Sequence, residues 1–163
     1  MRPLRAILPC LACAAALLVL GGCGTSRPTA YKPQRPAIVY SPLTDEQAHD
    51  IAIHALGLVG TPYRYGGNTP EGGFDCSGLI GYVYQSSAGV APPRTVAQLA
   101  GFGQRVDADQ LRTGDLVVFG THHAGIYVGE GRFVHAPSSG GTVRMDALQA
   151  RHWARLNPTF RRP

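Results

Sequence analysis

The stretch 74-FDCSGLIGYVYQSSAG-89 places a cysteine at the beginning of an apolar segment, directly after the glycine-rich residues 66–73. We predict a helix that starts at Asp75–Cys76 and runs to Ser87, because the residues between them are mostly apolar. Gly89 is expected to end this helix, as glycine commonly does. The sequence therefore predicts a thiol at the N-terminus of an apolar helix, with a loop leading into it.

Another helix is predicted before this stretch, and strands are predicted after it. Thr44 can cap the first helix and Gln47 completes a capping box, while Gly-Thr-Pro at 60–62 stops it. A weaker helix is predicted over 96–100. Short segments rich in β-branched or aromatic residues follow and predict four strands: 116–119, 124–128, 132–135 and 142–145. Helices first and strands second indicate an α+β domain with an antiparallel sheet.

The position of Cys76 favours nucleophilic chemistry. A thiol at a helix N-terminus lies near the positive end of the helix dipole, which favours the thiolate. The free backbone N–H groups of the first turn can also point at the group that the sulfur attacks, as in an oxyanion site. Gly78 keeps this turn narrow. The alternative is an inert buried cysteine.

The hairpin after the second predicted strand decides which side chains share a face. Gly-Glu-Gly at 129–131 is typical of a three-residue hairpin loop. Such a loop would pair Val128 with Arg132 and Gly125 with His135. The register therefore predicts which residues lie beside His135.

The predicted sheet supplies candidate bases for the thiol of Cys76. Because side chains alternate along a strand, His123 and His135 share one face and are diagonal neighbours, whereas His122 points to the other face. A nucleophilic thiol needs a base, and the base needs an orienting group. A slip of one residue in the loop would exchange the roles of His122 and His123.

Residues 1–22 have the features of a secretory signal peptide: a basic start, the short apolar run 11–20 and small residues at the end. The run is too short for a membrane span, which needs roughly 17–25 residues. Leu-Gly-Gly-Cys at 20–23 resembles the lipobox of bacterial lipoproteins. We predict cleavage before Cys23 and acylation of that cysteine, rather than a plain signal peptide with an incidental cysteine.

Cleavage and acylation would leave Cys76 as the lone thiol of the mature chain, since Cys10 and Cys13 lie in the signal peptide. Exported proteins meet an oxidising compartment, where paired cysteines form disulfides. A thiol without a partner there is a candidate reactive group.

The formal net charge of +5 is concentrated at the N-terminus. Five of the fifteen basic residues and none of the acidic ones precede residue 44, so ten of each follow. A neutral folded part argues against nucleic acid as a partner. The proline-containing residues 24–43 are typical of an extended linker, and their basic residues suit a tether close to anionic headgroups. The predicted organisation is a signal peptide at 1–22, a lipidated cysteine and linker at 23–43, and one folded domain at 44–163.

Five blocks in the folded part resemble, in order, the motifs of the NlpC-type peptidases, which are papain-like enzymes that hydrolyse peptidoglycan peptides. The blocks are PYRYGG at 62–67, DCSG at 75–78, TGDLV at 113–117, HAGIYVG at 123–129 and FVHA at 133–136. The resemblance implies a papain-like fold, with N-terminal helices packed on the C-terminal sheet.

The resemblance also assigns roles to individual residues. The nucleophile, the general base and the third polar residue of the family fall on Cys76, His123 and His135. Tyr63 matches a tyrosine that lies beside the sulfur and helps bind the oxyanion or substrate. The candidates for substrate or oxyanion binding are Tyr63, Asp75 and Ser77. No cofactor and no metal is implied.

The short, lipidated layout looks most like the Spr-type murein endopeptidases. This implies hydrolysis of stem-peptide or cross-link bonds in cell-wall remodelling, with the cross-link to diaminopimelate favoured over cleavage after D-glutamate. Because no wall-binding repeat is present, targeting would depend on the lipid anchor or on an unidentified adaptor or regulatory lipoprotein. Gly24 is not the aspartate typical of inner-membrane retention, which predicts the outer membrane with the domain facing the periplasm.

Three alternatives remain open from the sequence. One cysteine and two histidines could hold zinc, but the C-x-x-C pairing typical of structural zinc sites occurs only at Cys10 and Cys13, inside the predicted signal peptide. A catalytically silent lipoprotein that binds the wall or a partner is the second alternative. An amidase or acyltransferase on the same scaffold is the third, because all of these enzymes share Cys–His chemistry.

Overall fold

The computed structural model describes residues 43–138 and 140–163. The predicted signal peptide, the acylated Cys23 and most of the linker lie outside the described residues and stay predictions. Leu43, placed in the linker by its sequence position, is buried in the core, and its carbonyl accepts a hydrogen bond from Arg112. Among the described helices, none has the length and apolar character needed to cross a membrane.

Helix α1 spans Asp45–Gly57, and the predicted capping box is confirmed. The Thr44 hydroxyl accepts from the Gln47 N–H at 3.2 Å, and the Gln47 side chain accepts from the Thr44 N–H at 3.0 Å. The buried residues of α1 lie on one face, which packs against the helix that begins at Cys76: Ala48, Ile51, Ala52 and Ala55.

Helix α2 spans Cys76–Ala88, one residue beyond the predicted end at Ser87. Asp75 is its N-cap, and the left-handed Gly89 at its C-cap ends the helix as predicted. The preceding segment, expected to be an irregular loop, contains a small hairpin of β1 (Asn68–Thr69) and β2 (Gly73–Phe74). A short α3 covers Val96–Leu99.

The remaining strands form a six-stranded antiparallel sheet in the order β3-β8-β4-β5-β6-β7. Their bounds are Gln104–Val106 (β3), Leu116–Phe119 (β4), His123–Gly129 (β5), Arg132–His135 (β6), Arg144–Ala147 (β7) and Thr159–Arg162 (β8). A short α4 at Arg151–Ala154 connects β7 to β8. The predicted α+β fold with helices packed on an antiparallel sheet is confirmed.

Alternate residues of the sheet enter two apolar clusters. Leu116 and Val118 of β4 join the helices in the larger cluster, whereas Val117 and Phe119 pack with Trp153 in the smaller one. The helices α1, α2 and α3 therefore cover one face of the sheet, and α4 covers part of the other.

The register of β5 and β6 is confirmed, but the predicted loop is wrong at its tip. Ile126 pairs with Val134, the register expected from the sequence, yet Arg132 pairs with Gly129 and not with Val128. Glu130 (φ 51°) and Gly131 (φ 69°) are both left-handed, which makes a two-residue turn. The residue left over is absorbed as a register shift between Tyr127 and Gly129.

Three elements of the structure are not predicted from the sequence, because their residues show no clear apolar pattern: β3, α4 and β8. The strand β8 lies between β3 and β4 although it has one buried residue, Phe160. Its Arg162 donates to both carboxylate oxygens of the buried Asp115, at 2.9 and 2.7 Å. The predicted strand at 142–145 is also displaced, because β7 begins at Arg144 and extends to Ala147.

Candidate active site

The N-terminus of α2 is held by the carboxylate of Asp75. Its Oδ1 accepts from the Gly78 N–H at 2.6 Å, and its Oδ2 accepts from the Gly66 N–H at 3.0 Å. Arg94 adds an ion pair at 3.5 Å. Asp75 therefore connects the loop at Gly66 to the first turn of α2 and fixes the backbone on which Cys76 lies.

Ser77 contributes to the site through its backbone. Its side chain is buried, and the hydroxyl lies 2.8 Å from the Arg94 carbonyl oxygen, to which it donates. The Ser77 N–H points at the Cys76 sulfur, as does the Cys76 N–H. Of the predicted substrate or oxyanion residues, Ser77 thus presents an N–H group and not a hydroxyl.

The Cys76 thiol is largely buried between α2 and β5. In addition to the two helix N–H groups, the backbone N–H of Ala124 reaches its sulfur. Burial raises the pKa of the Cys76 thiol, the Asp75 carboxylate raises it further, and the three N–H groups only partly offset this. The helix N-terminus was expected to favour the thiolate, whereas burial and Asp75 shift the pKa of Cys76 towards the protonated thiol. The resting thiol is protonated and needs a base.

His123 opens β5 directly before Ala124, and its Nε2 lies 2.8 Å from Nδ1 of His135. This hydrogen bond leaves Nδ1 of His123 available to a second partner. Burial, followed by the electrostatic effects of His135 and Arg144, lowers the pKa of His123 to about 4. His123 is therefore neutral at pH 7 and can accept a proton.

His135 on β6 is fully buried, and its Nε2 lies 3.0 Å from Oδ2 of Asp146. Burial lowers the pKa of His135, while the hydrogen bond and charge of Asp146 act in the opposite direction. Its neighbour on β5 is Gly125, where a Cβ would approach the His135 Cβ to 3.1 Å and the Val134 carbonyl oxygen to 2.7 Å. The glycine thus leaves room for His135.

Asp146 has no place among the sequence-predicted site residues, because the strand predicted at 142–145 stops before it. Its Oδ2 also accepts from Trp153 Nε1 at 2.9 Å and from Arg144 Nε and Nη2 at 3.2 and 3.0 Å. Burial alone would raise the pKa of Asp146, but the hydrogen bonds from Trp153 and His135 outweigh it and lower the pKa. The sequence signal for this residue was the two-residue spacing of Arg144 and Asp146, which places both on one face of a strand.

The Trp153 indole covers the two imidazoles. It stacks on His123 with ring centroids 5.3 Å apart and planes 23° apart, and it meets His135 edge-on at 4.9 Å. A buried indole in this position shields the His123–His135 hydrogen bond from water.

Tyr63 and His122 differ in their relation to Cys76. Tyr63 is half-buried, and burial followed by the nearby Cys76 raises its pKa, which places its hydroxyl in the electrostatic range of the sulfur. His122 is exposed in the turn before β5. The structure therefore places His123 against His135, and it places Tyr63 and the Ala124 N–H near the Cys76 sulfur, whereas His122 is exposed.

Within 43–138 and 140–163, no three His, Cys, Asp or Glu side chains are grouped so that they could hold a metal ion.

A thiol at a helix N-terminus, a histidine on the facing strand and a second histidine beside it form the arrangement that the sequence motifs predict. The family model described as NlpC/P60 matches residues 60–162. The chain belongs to the NlpC/P60 family. The matched residues include every predicted site residue except Cys23, the predicted lipidation site, so the NlpC/P60 domain carries the whole candidate active site.

Two bacterial proteins are similar to this chain over much of the same region. The chain is 36% identical over 119 residues to murein DD-endopeptidase MepH of Escherichia coli, an alignment that covers 68% of this chain and 44% of the relative. It is 40% identical over 117 residues to gamma-DL-glutamyl hydrolase of Bacillus subtilis, covering 67% of this chain and 28% of the relative. The matched region therefore spans less than half of each relative.

Solved structures agree with the family assignment. The NlpC/p60 domain of the peptidoglycan hydrolase SagA superposes with a TM-score of 0.61 at 32% identity, covering 69% of this chain and 95% of that domain. The two chains therefore share the fold over nearly the whole of the SagA domain.

Proposed function

We propose that this chain is a cysteine endopeptidase that hydrolyses peptide bonds in peptidoglycan, with Cys76 as nucleophile, His123 as base and His135 as orienting residue. The observation that carries the proposal is that the backbone N–H of Ala124, the residue after His123, acts on the Cys76 sulfur and lowers its pKa. The thiol therefore lies near the beginning of β5, where His123 is neutral at pH 7. The similarity to a murein endopeptidase and to a peptidoglycan hydrolase supports peptidoglycan as the substrate.

The first half of the reaction forms an acyl-enzyme. His123 takes the proton of Cys76 as the sulfur attacks the peptide carbonyl carbon, and both groups are neutral before attack. The N–H groups at the start of α2, with the hydroxyl of Tyr63, stabilise the oxyanion. When the tetrahedral intermediate collapses, the C–N bond breaks and the His123 imidazolium protonates the leaving amine.

The second half regenerates the enzyme. Neutral His123 takes a proton from water as the water oxygen attacks the thioester carbon. Collapse of the second tetrahedral intermediate breaks the C–S bond, releases the carboxylic acid product and returns the proton to the Cys76 sulfur. His135 holds the His123 ring in place through both halves.

The bond favoured by the proposal is the cross-link to diaminopimelate, in line with the similarity to a DD-endopeptidase. The relative named gamma-DL-glutamyl hydrolase makes cleavage after D-glutamate the second candidate. Digestion of defined muropeptides followed by mass spectrometry separates them, because the first reaction converts cross-linked dimers to monomers and the second shortens monomer stems. Products with intact peptides and cleaved sugars would contradict both.

The same digestion tests the other activities on this scaffold. A Cys76→Ser variant is the matched control, since it retains the side-chain volume and loses the thiol. Release of intact stem peptides from the glycan would indicate an amidase, and transfer of the acyl group to an added amine would indicate an acyltransferase. Binding to purified peptidoglycan with no product from either protein would indicate a silent wall-binding protein.

Anchoring is a separate part of the proposal. Acylation of Cys23 and sorting to the outer membrane, with the domain in the periplasm, would place the enzyme next to the cell wall. Metabolic labelling with palmitate should mark the wild-type chain and not Cys23→Ser. Fractionation should find the wild-type chain in the outer membrane and Gly24→Asp in the inner membrane, whereas identical sorting of the two would contradict the assignment.

A further inference from the structure

We propose that Asp146 is a positioning residue which, through His135, fixes the protonation pattern of His123 so that the lone pair of Nδ1 remains free for the Cys76 proton. This inference rests on the proposed peptidase function. Asp146 lies two imidazoles away from the sulfur and belongs to none of the family motifs recognised in the sequence.

The first step concerns His135. An ionised carboxylate can only accept hydrogen bonds, so the ring nitrogen that contacts it must carry the proton. The contact is Nε2 of His135 with Oδ2 of Asp146, at 3.0 Å. The neutral His135 ring is therefore protonated at Nε2, and its Nδ1 is an acceptor.

The second step transfers this constraint to His123. Its Nε2 lies 2.8 Å from Nδ1 of His135, which can only accept, so Nε2 of His123 is the donor. A neutral imidazole carries one proton, and Nδ1 of His123 is then left with a free lone pair. When Cys76 attacks, the S–H bond breaks and an N–H bond forms at that nitrogen.

The third step is electrostatic. Proton transfer turns His123 into an imidazolium, and the titratable groups that act on it are Arg144 and Asp146 of β7 together with the neighbouring His135 and His152. Asp146 is the negative member of this set and favours the imidazolium, whereas the others oppose it. The carboxylate therefore counters Arg144 at the moment when positive charge develops on His123.

The position of Asp146 is itself held by its neighbours. Trp153 Nε1 and the guanidinium of Arg144 converge on the same Oδ2 that His135 contacts. Arg144 and Asp146 are two residues apart on β7, and Trp153 follows in α4. The carboxylate is thus locked by donors from two elements, as a group that must orient another ring requires.

Two variants with a matched control test the proposal in the full-length protein. Asp146→Asn keeps an oxygen that can accept from His135 but loses the charge, and Asp146→Ala loses both. Asp50→Asn is the control, because Asp50 is an exposed carboxylate on α1. Circular dichroism and thermal melts establish that each variant is folded.

The kinetic result expected is a graded loss of kcat with KM unchanged within about twofold. Because misplacement of a catalytic group costs up to about 100-fold, Asp146→Ala should approach that loss and Asp146→Asn should lose less. The acidic limb of the pH profile should also move to lower pH in both, since Asp146 raises the pKa of His123. A local packing defect would lower the rate without moving the limb. A kcat for Asp146→Ala equal to that of Asp50→Asn would overturn the proposal.

Nitrogen-15 NMR of the imidazoles tests the tautomers without substrate. The wild-type spectra should show His123 and His135 protonated at Nε2 at neutral pH, and Asp146→Ala should show mixed tautomers. A wild-type His123 protonated at Nδ1 would overturn the proposal even if the enzyme is active. Correct tautomers in a protein that cleaves no muropeptide would instead overturn the proposed function.

Discussion

Nε2 of His123 and Nδ1 of His135 lie 2.8 Å apart, although the two residues are twelve positions apart in the chain. The hairpin of β5 and β6 produces this contact, and the rings meet nearly edge-on at 83°. Each ring is left with its other nitrogen, which for His135 faces Asp146 and for His123 is the proposed base. Replacement of His123 and replacement of His135 should therefore have different effects on activity.

Replacement of His123 with alanine should abolish most activity. General-base catalysis contributes about 10²–10⁴-fold, and a loss in this range is expected because the Cys76 thiol is protonated at rest. His122→Ala is the matched control and should remain within about twofold of the wild type, because His122 is exposed in the preceding turn. A muropeptide assay measures the turnover of both variants, once each is shown to be folded. Loss of turnover in His122→Ala but not in His123→Ala would assign the role of general base to His122.

Replacement of His135 with asparagine should impair the enzyme and leave measurable turnover. An amide oxygen can still accept from the His123 ring, but the contact with Asp146 is altered, and such misplacement costs up to about 100-fold. The loss should fall mainly on kcat, as steady-state kinetics on one muropeptide would show. Activity as low as that of His123→Ala would assign His135 a more direct part in the chemistry.

The acidic limb of the wild-type pH profile should have its midpoint near pH 4. His123 must be neutral to accept the thiol proton, and its pKa is lowered from 6.5 to about 4, so activity persists below pH 6.5 and falls as the pH drops through about 4. Rates measured between pH 3 and pH 8 check this. An acidic limb centred at pH 6.5 would mean that burial does not lower the pKa of His123.

Acid should also destabilise the fold in the same window. The unfolded chain binds a proton on His123 near pH 6.5 and the folded chain only near pH 4, so the stability present above pH 6.5 is lost as the pH falls towards 4. Urea unfolding midpoints at pH 7 and pH 5 measure the effect. His123→Ala should show a smaller decrease between these two conditions than the wild type.

Two glycines of α2 should respond oppositely to alanine. A Cβ at Gly78 would lie 1.9 Å from the Gly67 carbonyl oxygen, whereas a Cβ at Gly81 would meet nothing within 4 Å. Gly78→Ala should therefore cost about 1–3 kcal/mol or more by overpacking, and Gly81→Ala should gain up to about 1 kcal/mol of helix propensity. Urea unfolding of the two variants tests this. Equal stability of the two variants would mean that the loop at Gly67 moves away from the added Cβ without a loss of folding free energy.

The sequence by itself determined the helices around Cys76 and the hairpin that aligns His123 with His135. Helix α1 has a capping box, α2 lies between a capping aspartate and a left-handed glycine, and β5 and β6 are joined by a short glycine-containing turn. These are local features, in which neighbouring residues decide the backbone. The displaced β7 and the missed β3, α4 and β8 have too few apolar residues for such a signal.

Only the tertiary structure decided the electrostatic state of the site. The pKa of Cys76 is raised because the sulfur is buried between α2 and β5 beside Asp75, against the direction of the helix dipole. Asp146 reaches His135 because β7 pairs with β6, and Trp153 closes over both histidines from α4. Desolvation and contacts across strands depend on how distant segments pack. The residues next to Cys76 and His123 in the sequence therefore do not predict them.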